Sequence, residues 1–465
     1  MNTLRSLLYW LTRTRWLLFA IVTGAVLLAL PTPAGLAPAG HRLLVVVVVT
    51  LILVIAEPIP LPATALFIIV SLAYFGIDAP NNIAHAFTND AVFFIMGSLM
   101  LAVAIVKQGW DARIALGIIR LTGNKTRRIA FGFATISALL SSFVGGHTVV
   151  ALMLPIGMTL VRYTSQKREE VRELAAVLLF SIAYGALIGS IGTPSGGGRN
   201  AIMMNYLNDY GAGVISYARW MLYVYPLVLI LIPVFSYLLW HSFSPEHLYL
   251  DSSVRRLKIQ VSREGAIHGR EVGGLLIFGL VFLGWVFLSS RYGLGTIALT
   301  GVMLYLVFGL VKWDDIRRNT HWGVIILFGA TIALGTYMQT TGTAVWLARK
   351  LVALLNVGSG TGLITDVVIV GLTTAMANTL SSSATVAVLG PITMNMGPDI
   401  LHQGLITAVA SAFGFFTAVA APACAIIYSS GLVNARDFLR AGWKVGLASI
   451  IILIVYANTY WRILF

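Results

Sequence analysis

Long apolar runs set the terms for this chain. A helix that crosses a bilayer needs about 20 mainly apolar residues. Runs near that length recur at 15–31, 42–56, 60–76, 127–144, 174–190, 217–241, 273–290, 294–312, 361–380, 405–420 and 441–461. Of the 465 residues, 58% are hydrophobic and only 10% charged, against about a quarter charged in a soluble protein. That excludes an ordinary globular enzyme. The formal charge is +14, from 31 Lys and Arg against 17 Asp and Glu. Apolar runs separate these charges, so the excess points to anionic lipid headgroups and away from nucleic acid. The single cysteine, Cys424, rules out an intrachain disulfide framework and a cysteine-rich metal site. The expectation is an all-α polytopic protein of the bacterial inner membrane with about 11 transmembrane helices. Arg5, Arg13 and Arg15 precede the first run as they would in a signal peptide; a retained helix is expected there.

Shorter apolar pieces at 91–107, 148–161, 321–337 and 384–396 end at Gly, Ser, Thr or Pro clusters. Such endings suggest re-entrant hairpins or helices broken within the membrane. The polar stretch 242–272, with Arg255, Arg256, Lys258, Arg263 and Arg270, reads as a solvated basic connector between two halves.

The halves resemble each other. IMGSLMLAVAIVKQG (95–109) precedes an amphipathic stretch with Ile114, Leu116, Ile118 and Ile119; LFGATIALGTYMQTTG (327–342) precedes Trp346, Leu347, Leu351 and Leu355. Each half then has a small-residue loop entering a Pro-bearing segment, GGHTVVALMLP (145–155) and SSSATVAVLGP (381–391). Each also has a late loop, GTPSGGGRNAI (192–202) and AAPACAI (420–426). Six residues separate Pro194 from Ala201 but two separate Pro422 from Ala425, so the first loop carries a four-residue insertion. Matching broken segments in two halves point to a secondary transporter with a site near the membrane midplane. Lys107, Arg113, Arg120, Lys125, Arg127 and Arg128 follow the first piece, whereas its counterpart is followed only by Arg349 and Lys350. By the positive-inside rule the two connectors lie on opposite sides, which makes the repeats inverted. The loop 162–173, with Arg162, Lys167, Arg168 and Arg172, fits this orientation less easily.

Irregular backbone at membrane depth is tolerated where it is buried in protein or lines a cavity. Gly145, Gly146, His147 and Thr148 lead into one helix; Thr193, Pro194, Ser195, Gly196, Gly197, Gly198, Arg199 and Asn200 lead into another. Glycines let backbone N–H groups turn toward one point, and a helix N-terminus adds partial positive charge, so these loops suit an anion. Glycines also permit close helix packing, which is the plainer reading of Gly145 and Gly146. A Ser-Gly-Gly-Gly-Arg run breaks a helix and adds a charge, and an arginine at depth is costly unless it has work to do. The second half offers hydroxyls: Ser381, Ser382, Ser383 and Thr385, with Asn378 and Thr379 before them. Asn378, Thr379 and Ser382 are the candidates for a sodium ion; no other cofactor is expected. Among the scarce acidic residues, Asp90 follows Asn89 at the start of an apolar piece, where a helix cap is expected. Asp366 and Glu57 are the others near membrane depth, and their scarcity favours an anionic substrate over a cation.

GTPSGGGRNAI, MGSLMLAVAIVKQG and SSGLVNARDFLRAGWKVGL (429–447) resemble the divalent anion/sodium symporter family, which includes carriers of succinate, citrate and sulfate. The resemblance covers most of the chain from about residue 40. It implies a homodimer in which each protomer has a scaffold domain and a transport domain with two re-entrant hairpins, working by an elevator-type motion. The expected division is 1–90, scaffold helices; 91–215, first-repeat transport region with re-entrant hairpin, interfacial helix and broken helix; 216–320, scaffold helices and basic connector; 321–440, second-repeat transport region; 441–465, C-terminal helix. The family's Ser-Asn-Thr signature falls ten residues before a proline. Counting back from Pro155 and Pro391 places Gly145-Gly146-His147 and Ser381-Ser382-Ser383 there, while Asn378-Thr379 falls three residues early. The family's late loop, similar to Thr-Pro-Pro-Asn, survives as Thr193, Pro194 and Asn200 around the insertion, and as Ala421, Pro422 and Ala423 in the second copy. Arg199, and His147 when protonated, put positive charge where a first-repeat sodium would sit, so that ion site is expected to be weakened or absent.

The function expected is secondary transport of small divalent anions, by sodium-coupled symport or exchange. A proton-coupled carrier using His147 is the alternative, since imidazole changes charge near neutral pH. A lipid-acting enzyme would need a clustered nucleophile or metal set, and the eight histidines are scattered.

Overall fold

The computed structural model describes residues 2–108, 117, 121–165, 167, 169–246, 248–252, 254–255, 269–355, 362–418 and 420–464, with backbone only for 2–14. The amphipathic stretch with Ile114, Leu116, Ile118 and Ile119 lies outside the described residues. So do Arg113, Arg120 and Arg168, and Arg256, Lys258 and Arg263 of the basic connector.

Among the described residues the protein is helical, with one isolated bridge between Lys125 and Tyr249. Seven helices are long and apolar enough to cross a membrane: Pro38–Ala56, Thr126–Val144, Arg172–Gly189, Tyr217–Phe243, Gly269–Tyr292, Trp322–Thr340 and Ala435–Leu464. Pro80–Phe87 and Asp90–Val106, bent by 44° at their junction, form an eighth candidate. Arg15–Ala29, Leu61–Tyr74, Leu294–Val307, Gly362–Ala377, Ser382–Thr393 and Ile400–Ala410 are apolar but shorter.

The run 405–420 differs from its reading as one apolar helix. Helix stops at Ala410, and residues 411–418, 420 and 421 are non-helical before Pro422–Ser429 begins. The cause is the side chain of Asn378, which replaces helical partners. Its Nδ2 donates to the Phe413 carbonyl at 3.1 Å and its Oδ1 accepts from the Phe416 N–H at 2.9 Å.

Two helical hairpins organise the chain. Thr126–Val144 and Gly146–Thr164 meet at Gly145, whose φ of +87° lies in the region that favours glycine. A Cβ on Gly185 or Gly189 would fall 2.5 or 2.0 Å from the carbonyl oxygen of Ala134 or Ala138. Thr126–Val144 therefore runs alongside Arg172–Gly189 in the same direction. Gly146 faces Ala186 while Gly157 faces Ile182 and Leu179, so the second arm returns antiparallel. The later hairpin is built alike. Asp366 meets His402 and Asn378 meets Phe413, and the return arm Ser382–Thr393 brings Thr393 to Thr407 at 2.7 Å.

Packing sorts the helices into two sets. The hairpins pack with Arg172–Gly189, Tyr217–Phe243, Ile400–Ala410 and Ala435–Tyr456. The helices between Pro38 and Val106 pack with Gly269–Tyr292, Leu294–Val307 and Trp322–Thr340. Asp90 joins two helices of the second set in an unforeseen way. Asn89 caps its own helix through Val92, whereas the Asp90 carboxylate accepts from Leu294 and Gly295, the start of a helix two hundred residues away.

Candidate functional site

The site is made where helices begin. Gly145 both ends one arm of the first hairpin and starts the next, so His147 sits in the first turn of Gly146–Thr164. Arg172–Gly189 stops at Ser190; a 3-10 turn at Pro194–Gly196 and an extended Gly197 then start Gly198–Asp209. The insertion needs its glycines for close approach. A Cβ on Gly196 would fall 2.5 Å from the Ser190 carbonyl oxygen, and one on Gly198 would fall 2.1 Å from the Phe328 ring. Ser381 caps the second hairpin's return arm by accepting from the Ala384 N–H at 3.3 Å. Pro422 opens the last short helix.

All four helix starts line one cavity of about 320 Å³. Its wall includes Gly145, Gly146 and His147; Pro194, Ser195, Gly196, Gly197, Gly198 and Arg199; Ser381, Ser382 and Ser383; and Ala421, Pro422 and Ala423. His321, at the start of Trp322–Thr340, adds a fifth helix N-terminus, and Leu61, Phe94, Leu99, Val324 and Phe328 supply apolar surface.

Arg199 is the fixed charge of this wall. It is 5% exposed, its Nη2 donates to the Ser190 hydroxyl at 2.6 Å, and its Nε has no hydrogen-bond partner. Among the described residues no carboxylate lines the cavity. A buried guanidinium without a counter-ion is costly, and it is complementary to an anion. The converging helix N-termini add partial positive charge and unpaired N–H groups aimed the same way.

Six residues singled out from the sequence do not join this wall: Thr148, Thr193, Asn200, Thr385, Asn378 and Thr379. Five of them are engaged in holding backbone. Asn200 donates to the Ser190 and Thr193 carbonyls at 2.8 and 2.7 Å, and Thr193 donates to the Ser142 carbonyl. Thr385 bonds back to Ser381 at 3.1 Å and Thr379 to Met376 at 3.0 Å. Asn378 spends both side-chain polar atoms on the break 411–417.

Sequence reasoning missed His321, Ser190 and Phe328. His321 precedes an apolar run and carries no motif, yet its ring stands 5.5 Å from that of His147, edge to face. Ser190 closes an apolar helix and is distinguished only by its bond to Arg199.

Comparison with known proteins gives a consistent picture. A family model described as the sodium:sulfate symporter transmembrane region matches residues 11–465. The sodium-dependent dicarboxylate transporter SdcS of Staphylococcus aureus is 27% identical over 452 residues, covering 91% of this chain and 87% of that protein. Among solved structures, the Alcanivorax borkumensis YdaH transporter superposes with a TM-score of 0.58 at 14% identity, over 84% of this chain and 89% of that one. Neisseria gonorrhoeae MtrF, described as an antimetabolite efflux pump, gives 0.57 at 15%, over 83% and 84%. At such identities these two structures bear on the fold alone.

Proposed function

The chain belongs to the sodium:sulfate symporter family, and from that premise we propose that it carries small divalent anions across the membrane by sodium-coupled symport or by exchange. It is a transporter and not an enzyme. The observation that carries the anion reading is the buried Arg199 guanidinium, set among converging helix N-termini with no carboxylate beside it. A dicarboxylate or oxyanion entering the cavity becomes its counter-ion. The volume lies at the low end of small-molecule sites, about 300–1,000 Å³, which suits a compact anion. The named activity of SdcS, sodium-dependent dicarboxylate transport, supports sodium as the coupling ion and a dicarboxylate as cargo.

In this reading sodium is held on the second-repeat side. Ser382 and Ser383 face the cavity there, whereas Asn378 is already committed. The first-repeat side, with Gly145, Gly146 and His147 next to Arg199, is a poor cation site because a fixed positive charge repels a second one. The two halves act as inverted repeats whose hairpin tips face each other across the substrate. The hairpin-bearing set moves past the other in an elevator-type step, in a homodimer of the inner membrane. Tyr217–Phe243 travels with the hairpins in this scheme, because it packs on Thr126–Val144 of the first hairpin, on Arg172–Gly189 and on Ala435–Tyr456.

The test is uptake of labelled succinate into proteoliposomes, with the inward sodium gradient and internal succinate varied independently. Accumulation driven by sodium alone marks a symporter; uptake that needs only internal succinate marks an exchanger. No uptake of succinate, citrate or sulfate under either condition sinks the reading. Arg199→Met is expected to weaken succinate binding by about 2 kcal/mol, roughly 30-fold. Its unliganded thermal stability should hold or rise, because a buried unpaired charge is gone; a variant that binds as well as the parent would remove Arg199 from the site.

A further inference from the structure

Two histidines share the cavity with Arg199, and no other titratable side chain lines it among the described residues. Their setting differs from that of the histidines with structural work. His41 bonds the Leu27 carbonyl, His241 the Tyr237 carbonyl, and His402 the Asp366 carboxylate. Among the described residues neither His147 nor His321 has a hydrogen-bond partner; they meet only each other, at 5.5 Å between ring centroids. Each belongs to a different helix set. His147 sits in the tip of the first hairpin, and His321 stands at the head of Trp322–Thr340.

Resting on the anion-transport reading, we propose that the His147–His321 pair is a proton-binding site that takes up about one proton with each divalent anion. Where no sodium ion enters, the charge balance requires a further cation: Arg199 supplies one positive charge, so a dianion leaves the cavity one charge short of neutral. A single proton shared by the two imidazoles closes that gap, and it needs no oxygen cage. The bound dianion supplies the opposing charge that favours a proton on the pair. Two facing rings also disfavour a second proton on the pair.

The carboxylates on the surrounding helices are committed elsewhere. Asp315, just before His321, is tied to Lys107 at 2.9 Å, and Asp314 to Arg317 at 3.2 Å. Asp90 caps Leu294 and Gly295, and Glu173 pairs with Arg440 at 2.9 Å. The proton acceptor is therefore the imidazole pair itself. Because its members come from both helix sets, the complete pair exists only while the hairpin tip lies against Trp322–Thr340, and moving the hairpin set would part them.

Calorimetry on the purified full-length chain tests this directly. Succinate is titrated near pH 7 in Mops and in Tris, buffers of different protonation enthalpy, without sodium and then with it. The heats should differ between buffers by the equivalent of about one proton per succinate. Affinity should fall as pH rises through the range where that uptake is seen, by up to roughly tenfold per pH unit. His147→Gln and His321→Gln should each abolish most of the buffer difference. Equal heats in both buffers with the unmodified protein overturn the proposal, whatever the variants do. No heat from succinate or sulfate in any condition overturns the anion reading itself and this inference with it.

Discussion

Gly198 shows how little freedom a single position in this site has. Its missing Cβ is what lets the Phe328 ring close over the start of Gly198–Asp209. Gly198→Ala should destabilise the protein by about 1–3 kcal/mol through overpacking and weaken succinate binding by displacing Arg199 next to it. Thermal unfolding and a binding isotherm check both effects; a variant unchanged in each would mean that Phe328 swings away freely. The Ser-Gly-Gly-Gly-Arg run is legible as a candidate site from the sequence because it does two costly things at once, breaking a helix and burying a charge. His321 is not, because what sets it apart is a neighbour 174 positions earlier in the chain. Asp90 was read correctly as a cap but assigned to the wrong helix. Only the fold reveals that its carboxylate serves Leu294 and Gly295.

At the scale of elements, each hairpin depends on one side chain that ties it to the neighbouring break. Ser142 and Asn378 lie equally far before Pro155 and Pro391, and each reaches across to the backbone where the companion helix fails. Ser142 bonds the Gly189 carbonyl at 2.9 Å, and Asn378 bonds the Phe413 carbonyl at 3.1 Å. Asn378→Ala should cost about 1–3 kcal/mol, since it orphans buried backbone groups, and it should depress uptake more than Thr379→Ala, whose side chain bonds only its own helix. Equal effects of the two substitutions would count against the tie. Gly185 and Gly189 pack on Ala134 and Ala138 with four-residue spacing, a pattern that lets helix backbones approach closely. A Gly189→Val protein should lose the docked hairpin and with it most of its thermal stability. The apolar runs announced that helices were present, but a docked hairpin and a spanning helix have the same composition. For that reason 405–420 read as one helix although Asn378 ends it early.

Over the whole molecule, the question is whether the two helix sets move past one another. Where Gly198–Asp209, which packs on Ser382–Thr393 and Ile400–Ala410 of the hairpin set, lies against Trp322–Thr340, Tyr206 donates to the Thr331 carbonyl at 2.8 Å and Thr336 to the Asp209 carboxylate at 3.1 Å. Cysteines introduced as Asp209→Cys and Thr336→Cys, in a Cys424→Ala background, should be bridged by a short thiol cross-linker. The bridged protein should bind succinate yet fail to transport it, and undiminished transport would show that these helices do not part. Cys424 offers a second readout. It is fully buried beside the cavity loop Ala421–Ala423, with its thiol toward the Gly414 carbonyl at 3.8 Å. Its reaction with a small thiol reagent should be slow and slower still with substrate bound. Fast labelling unaffected by succinate would place the loop in permanent contact with water.

The sequence by itself determined that the chain is a membrane-embedded helical transporter. It also singled out the small-residue and glycine loops that the fold brings to one cavity. Those properties follow from local composition: apolar length, helix-breaking residues, and a charge where charge is expensive. Tertiary structure decided which loops meet, that five helix starts come together at one cavity, and that Thr193, Asn200 and Asn378 hold backbone instead of lining it. It also brought His147 and His321 together. The physical reason is that a side chain's role depends on whether its polar atoms are already satisfied, and that is settled only when distant segments pack.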